Sequence, residues 1–146
     1  MLESRGRIKS FFLFSLFPGE PIIAAPGDDV ILPCRLDSQE DLQDHSVEWI
    51  KEDMKRFVYL YSDGQTITEH MNESLIPRVS LDQDGLKRGD VTLKIRNVSL
   101  QDEGKYRCFI PGKNFRETVQ LVTLHARHRC VTNLLDLFLR FSTPEL

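Results

Sequence analysis

The sequence predicts an all-β chain: two antiparallel sheets packed face to face in a Greek-key sandwich. Three observations carry this. Val30, Leu32, Cys34 and Leu36 alternate with Asp29, Ile31, Pro33 and Arg35, the period of a half-buried strand, and similar short runs recur along the chain. Turn signals separate the runs: Pro26-Gly27-Asp28, Ser62-Asp63-Gly64-Gln65 and Pro111-Gly112-Lys113-Asn114. The third is Asp102-Glu103-Gly104-Lys105-Tyr106-Arg107-Cys108, with Cys34 upstream and Trp49 between the two cysteines. Such a set suits two sheets pinned together, an indole packed on the cross-link and a tyrosine closing the corner before the last core strand.

The elements follow in order. Pro18-Gly19-Glu20-Pro21 marks the entry to the domain, and Ile22 and Ile23 start an edge strand. In the next strand the set from Val30 to Leu36 faces the core. Pro33 is tolerated there only if its missing N–H falls on a free or bulged side. Asp37 to His45 is a loop. Val47 and Trp49 then point inward, with Glu48 and Ile50 outward. Lys51 to Arg56 reads as a charged hairpin region. Phe57 to Tyr61 is a strand in which alternation sends Val58 and Leu60 in and Phe57, Tyr59 and Tyr61 out. Thr66 to Glu69 fits a short extra edge strand. Val79 and Leu81 open another strand, and Val91, Leu93 and Ile95 face inward against Thr92, Lys94 and Arg96. Asn97 continues that inward set. Ser99 to Glu103 turns the corner, Tyr106 and Cys108 point in, and Arg107 and Phe109 point out. Phe115 to Leu124 is the last strand, whose facing is open because Val119/Leu121 and Val122/Leu124 disagree by one register, a conflict that a bulge would resolve.

Length and composition bound the rest. The chain has 146 residues, enough for one domain of about 100 residues plus tails. Its 19 Lys+Arg against 22 Asp+Glu, a net charge of −3, tilt against a nucleic-acid partner. There are three cysteines. If Cys34 and Cys108 pair, Cys130 is left over, and the chain belongs to an oxidising compartment. The other reading is three reduced cysteines in a cytosolic protein. Residues 1–19 read as a signal-like leader, with Arg5, Arg7 and Lys9 ahead of the apolar run Phe11 to Phe17. A small-residue cleavage site follows only near Ala24-Ala25. Residues 20–124 are the folded domain and 125–146 a C-terminal tail. For its apolar stretch Leu134 to Phe141 an amphipathic helix, a membrane-proximal piece or a splice product all remain open. No stretch reaches 18 apolar residues, so no membrane span is expected in this chain.

Five segments give a family resemblance. They are Gly27-Asp28-Asp29-Val30-Ile31-Leu32-Pro33-Cys34, Val47-Glu48-Trp49, Val58-Tyr59-Leu60-Tyr61-Ser62-Asp63-Gly64, Val91-Thr92-Leu93-Lys94-Ile95-Arg96-Asn97-Val98 and Asp102-Glu103-Gly104. Together, over about residues 20–124, they resemble the variable-type immunoglobulin domain of the butyrophilin and myelin-oligodendrocyte-glycoprotein family and its B7-like relatives. The resemblance implies an immunoglobulin-like β-sandwich of variable type, with a Cys34–Cys108 disulfide and Trp49 and Tyr106 in its core. It also implies a salt bridge between Arg78 and Asp102 across the base of the sandwich. A function is implied as well: a domain on the external side of the plasma membrane, or secreted, that binds a receptor on lymphocytes and modulates T-cell receptor signalling and cytokine production.

Further residues carry expectations of their own. Ile50, Phe57, Tyr59, Tyr61, Arg107 and Phe109 are assigned to the exposed face of one sheet and read as the partner-binding surface, since aromatic residues beside arginine resemble an interface core. The plainer reading is that some of them pack under the second hairpin or the first tail. Asn72-Glu73-Ser74 and Asn97-Val98-Ser99 are glycan acceptors if the chain is secreted. His125-Ala126-Arg127-His128-Arg129-Cys130 has ligand types but no partner cluster, so no metal and no cofactor are expected. Cys130 either cross-links two chains or stays free. Gly-x-Ser-x-Gly, a phosphate loop and His-Glu-x-x-His are all missing from the sequence, and an enzyme is not expected. Two rivals to the receptor-binding reading remain. A homophilic adhesion domain, with a weak homodimer, would use the same sheet. An antigen-receptor variable segment would end in an aromatic-Gly-x-Gly bulge, where this chain reads Lys113-Asn114-Phe115-Arg116-Glu117-Thr118. A truncated soluble decoy is a further alternative.

Overall fold

Nine strands form two sheets in the computed structural model, which describes residues 19–124. Residues 1–18, which hold all but one residue of the expected leader, and residues 125–146, the expected tail with Cys130 and the His125–Cys130 run, lie outside the described residues. In chain order the strands are β1 Ile22–Ala24, β2 Val30–Leu32, β3 Val47–Lys51, β4 Tyr59–Ser62, β5 Gln65–Thr66, β6 Val79–Leu81, β7 Leu93–Ile95, β8 Gly104–Ile110 and β9 Phe115–Thr123. One helical turn, α1 Gln83–Leu86, is capped by the Asp82 side chain, which accepts from the Asp84 N–H. The larger sheet runs β1-β9-β8-β3-β4-β5 and the smaller β2-β7-β6. β1 lies parallel to β9, and the other pairings are antiparallel.

Period-two burial builds the core between the sheets. Val30 and Leu32 of β2, Val79 and Leu81 of β6, and Leu93 and Ile95 of β7 bury from one side. Val47, Trp49, Tyr106, Cys108 and Ile110 bury from the other. Pro33 falls just past the end of β2, so its missing N–H interrupts no ladder. Beyond it the Cys34 N–H donates to Thr92 Oγ1 at 3.2 Å and the Cys34 carbonyl accepts the Val91 N–H at 2.9 Å.

The structure corrects several local expectations. Tyr59 and Tyr61 face the core, with 5% and 2% of their surface exposed, and Leu60 faces out. The phase is set by pairing with β3, where Tyr59 stands opposite the buried Trp49 and Tyr61 opposite the buried Val47. Val58 and Tyr59 are consecutive and both buried, and the Val58 N–H is spent on the Trp49 carbonyl. Phe57 bridges to Met71 and packs half-buried at the core margin, outside the β3–β4 ladder that carries the outer row. Lys51 is the last residue of β3 and is buried on its inward phase, reaching Asp53 at 2.7 Å. Of the expected edge segment Thr66 to Glu69 only Thr66 is strand, paired with Gln65 in β5, and Thr68–His70 coils into a 3-10 turn. Asn97 is exposed: it takes a left-handed φ of 53°, which turns it out of the inward series. β8 and β9 pair in one unbroken register from Ile110↔Phe115 to Gly104↔Leu121, with no bulge. Leu121, Val122 and Thr123 are all buried where β1 closes over them.

Candidate functional site

A rigid frame positions the outer side of the larger sheet. Cys34 and Cys108 are joined by a disulfide that links the two halves of the sandwich. Trp49 stands opposite Cys108 in the ladder, and its Nε1–H donates to the Val91 carbonyl at 2.9 Å across the core. That bond answers the polar cost of burying an indole. Tyr106 is fully buried, and its hydroxyl donates to the Asp102 carbonyl. Burial, then the nearby Asp102 charge, pushes this phenol far above its ordinary range.

Arg78 and Asp102 meet at the base of the sandwich through two parallel hydrogen bonds, Nη1 to Oδ2 at 2.9 Å and Nη2 to Oδ1 at 3.1 Å. Arg78 also donates to the carbonyls of Ser74, Arg96 and Asn97. Asp102 accepts the Ser99 N–H at 2.8 Å, closing a capping box on the Leu100–Asp102 turn. The hydrogen bonds that Arg78 donates to Asp102 hold its guanidinium above its ordinary pKa. These contacts give both residues a structural task.

On the outer side of the larger sheet, register draws one row across four strands: Leu60, Glu48, Phe109 and Arg116. Beside it runs a second row, Ile50, Arg107 and Thr118. The Arg116 guanidinium lies 4.4 Å above the Phe109 ring centre, a cation–π contact. Arg107 approaches Glu52 at 3.8 Å. Of the six residues expected on this face, Ile50, Arg107 and Phe109 are there, whereas Phe57, Tyr59 and Tyr61 are not. Glu48 was expected to point outward but was not assigned to the binding surface, Leu60 was expected to point inward, and Arg116 was not assigned. Arg116 had a signal: a hairpin centred on the 111–114 turn puts it opposite Phe109.

Other surfaces have different chemistry. At the loop end of the sandwich, Lys113 pairs with Glu40 and the His45 ring lies against Gly112. The Lys113 hydrogen bond holds the Glu40 carboxyl below its ordinary range. The outer side of the smaller sheet carries an open groove of about 780 Å³, lined by Ile31, Pro33, Ser80, Thr92 and Lys94 among others. Asn72 is half-buried and Asn97 exposed. Among the described residues no cluster of three or more His, Cys, Asp or Glu could hold a metal ion, and no helix is long and apolar enough to cross a membrane.

Comparison with known proteins agrees with this architecture. The family model described as Immunoglobulin V-set domain matches residues 18–125. Myelin-oligodendrocyte glycoprotein from Homo sapiens is 35% identical over 100 residues, covering 68% of this chain and 40% of that protein. The crystal structure of bovine butyrophilin superposes with a TM-score of 0.65 at 32% identity, over 73% of this chain and 51% of that one. A chain in the crystal structure of ICOS in complex with ICOS-L and an anti ICOS-L VNAR domain superposes with a TM-score of 0.61 at 26% identity, over 71% and 53%. The chain spans about a fifth of the length of the curated butyrophilins it matches and two fifths of the glycoprotein. Its two sheets, its Cys–Trp–Cys core and the family match agree: the chain belongs to the immunoglobulin V-set family, with butyrophilins and myelin-oligodendrocyte glycoprotein among its relatives.

Proposed function

We propose that this V-set domain is a recognition module, on the external side of the plasma membrane or secreted, that binds a signalling receptor on lymphocytes. Its effect is on T-cell receptor signalling and cytokine production, and its work is binding rather than catalysis. The observation that carries the reading is the Leu60–Glu48–Phe109–Arg116 row, set on a disulfide-braced sheet. A phenylalanine under an arginine, on a face that also carries Leu60 and Ile50, has the mixed aromatic and cationic character of interface centres. A rigid sheet also limits the ordering cost of docking. The similarity to a chain from a receptor–ligand complex supports a protein partner.

Labelled multimers of the full chain, made through a secretory route, test this on lymphocytes. The expected result is saturable staining of a lymphocyte subset and a change in cytokine release from T-cell-receptor-stimulated cells. Absence of saturable staining on every subset refutes it. A second reading, homophilic adhesion, has one observation in its favour: the face carries Glu48 and Glu52 as well as Arg107 and Arg116, so two copies could pair opposite charges. Sedimentation separates the two, since micromolar self-association supports adhesion and a strict monomer supports the receptor ligand.

A further inference from the structure

The sequon Asn72-Glu73-Ser74 sits in a local geometry that leaves its acceptor atom free. The backbone of Asn72 is fully engaged. Its N–H donates to the Phe57 carbonyl at 2.8 Å, and its carbonyl accepts from the N–H groups of Leu75 and Ile76 at 3.0 and 3.2 Å. The side-chain oxygen is also engaged: Oδ1 accepts the Ser74 N–H at 2.9 Å and the Ser74 hydroxyl at 2.6 Å. Nδ2 is different. It makes no hydrogen bond to the described residues, and it is not among their buried unpartnered atoms. Glu73 and Ser74 are exposed. A substituent on Nδ2 therefore breaks no contact of the fold.

We infer that Asn72 carries an N-linked glycan, an inference that rests on the secretory route of the reading above. The transfer is from a lipid-pyrophosphate-linked oligosaccharide. The bond between sugar C1 and Nδ2 forms, the bond from C1 to the phosphate oxygen breaks, Nδ2 gives up one proton, and the lipid pyrophosphate leaves as the anion. The glycan stands beyond Phe57, at the margin of the larger sheet, and not on the Leu60–Glu48–Phe109–Arg116 row. Placed there it shields the β4–β5 margin from pairing with another strand and leaves the outer face open.

The test is glycopeptide mass spectrometry on the full chain expressed behind a secretory leader in cells that make N-glycans. The expected result is that the peptide holding Asn72 carries a glycan. Peptide N-glycosidase then converts Asn72 to aspartate, Ser74→Ala abolishes occupancy and Ser74→Thr retains it. Secreted, disulfide-bonded chain with Asn72 unmodified overturns this inference alone. Chain kept in the cytosol with reduced cysteines overturns the secretory reading and the glycan with it.

Discussion

Arg78 and Asp102 show how much one pair can carry. The carboxylate is nearly buried, receives both arms of the guanidinium and also accepts the Ser99 N–H. Asp102→Ala strands a partly buried cation and unmakes the capping box, so it should cost about 3 kcal/mol in urea denaturation. Arg78→Lys keeps the charge but not the planar fork, and should lose a large part of the same stability. Tyr106 makes a pH prediction. Its phenol is neutral in the fold, where burial and the Asp102 charge raise its pKa, while in the unfolded chain it ionises near about 10. A raised pKa means that its contribution is complete below that value and is lost as pH rises past it. The melting temperature should be insensitive to this group through neutral pH and fall above about pH 10. Part of the tyrosine absorbance step should coincide with unfolding, because burial raises the Tyr61 pKa in the same direction.

At the level of the element, β4 separates core from surface within three residues. Tyr59 and Tyr61 point inward, where their hydroxyls reach Thr66 Oγ1 at 2.6 Å and the Gln43 carbonyl at 3.0 Å. Leu60 between them points out. Tyr59→Asp or Tyr61→Asp should therefore destabilise by about 3 kcal/mol or more, by placing a charge in the core. Leu60 is only half-buried at the core margin, so Leu60→Asp should cost far less, at most about 1 kcal/mol. This strand also marks the limit of what could be read from the chain. The alternation in β2, β3, β7 and β8 was legible because each has one wet side and one dry side, and the period speaks for itself. Around Val58 the chain is apolar at every position from Phe57 to Tyr61, so either phase fits the letters. The choice is made by pairing: Tyr59 stands opposite Trp49, and that partner is remote in sequence. Phe57, Tyr59 and Tyr61 were assigned to the exposed face for this one reason, whereas the two tyrosines are buried and Phe57 packs at the core margin. Arg116 went unassigned because the facing of β9 was left open, although its hairpin register with β8 fixes it.

For the whole molecule, the frame and the face have separate jobs. The disulfide spans 74 positions and braces the sandwich from within. Replacing Cys34 and Cys108 by alanine should cost about 4 kcal/mol in the secreted domain. Under the proposed function, a receptor docks on the outer side of the larger sheet. The outer side of the smaller sheet, with its groove and Ser80, serves as the internal control. The direct test is lymphocyte staining by multimers of the Ile50→Glu, Leu60→Glu and Phe109→Glu variants beside Ser80→Glu, with melting curves for each. The account predicts a loss of staining of tenfold or more for the first three, full staining for Ser80→Glu, and melting temperatures close to the parent throughout. Undiminished staining by the first three, with loss in Ser80→Glu, would contradict it.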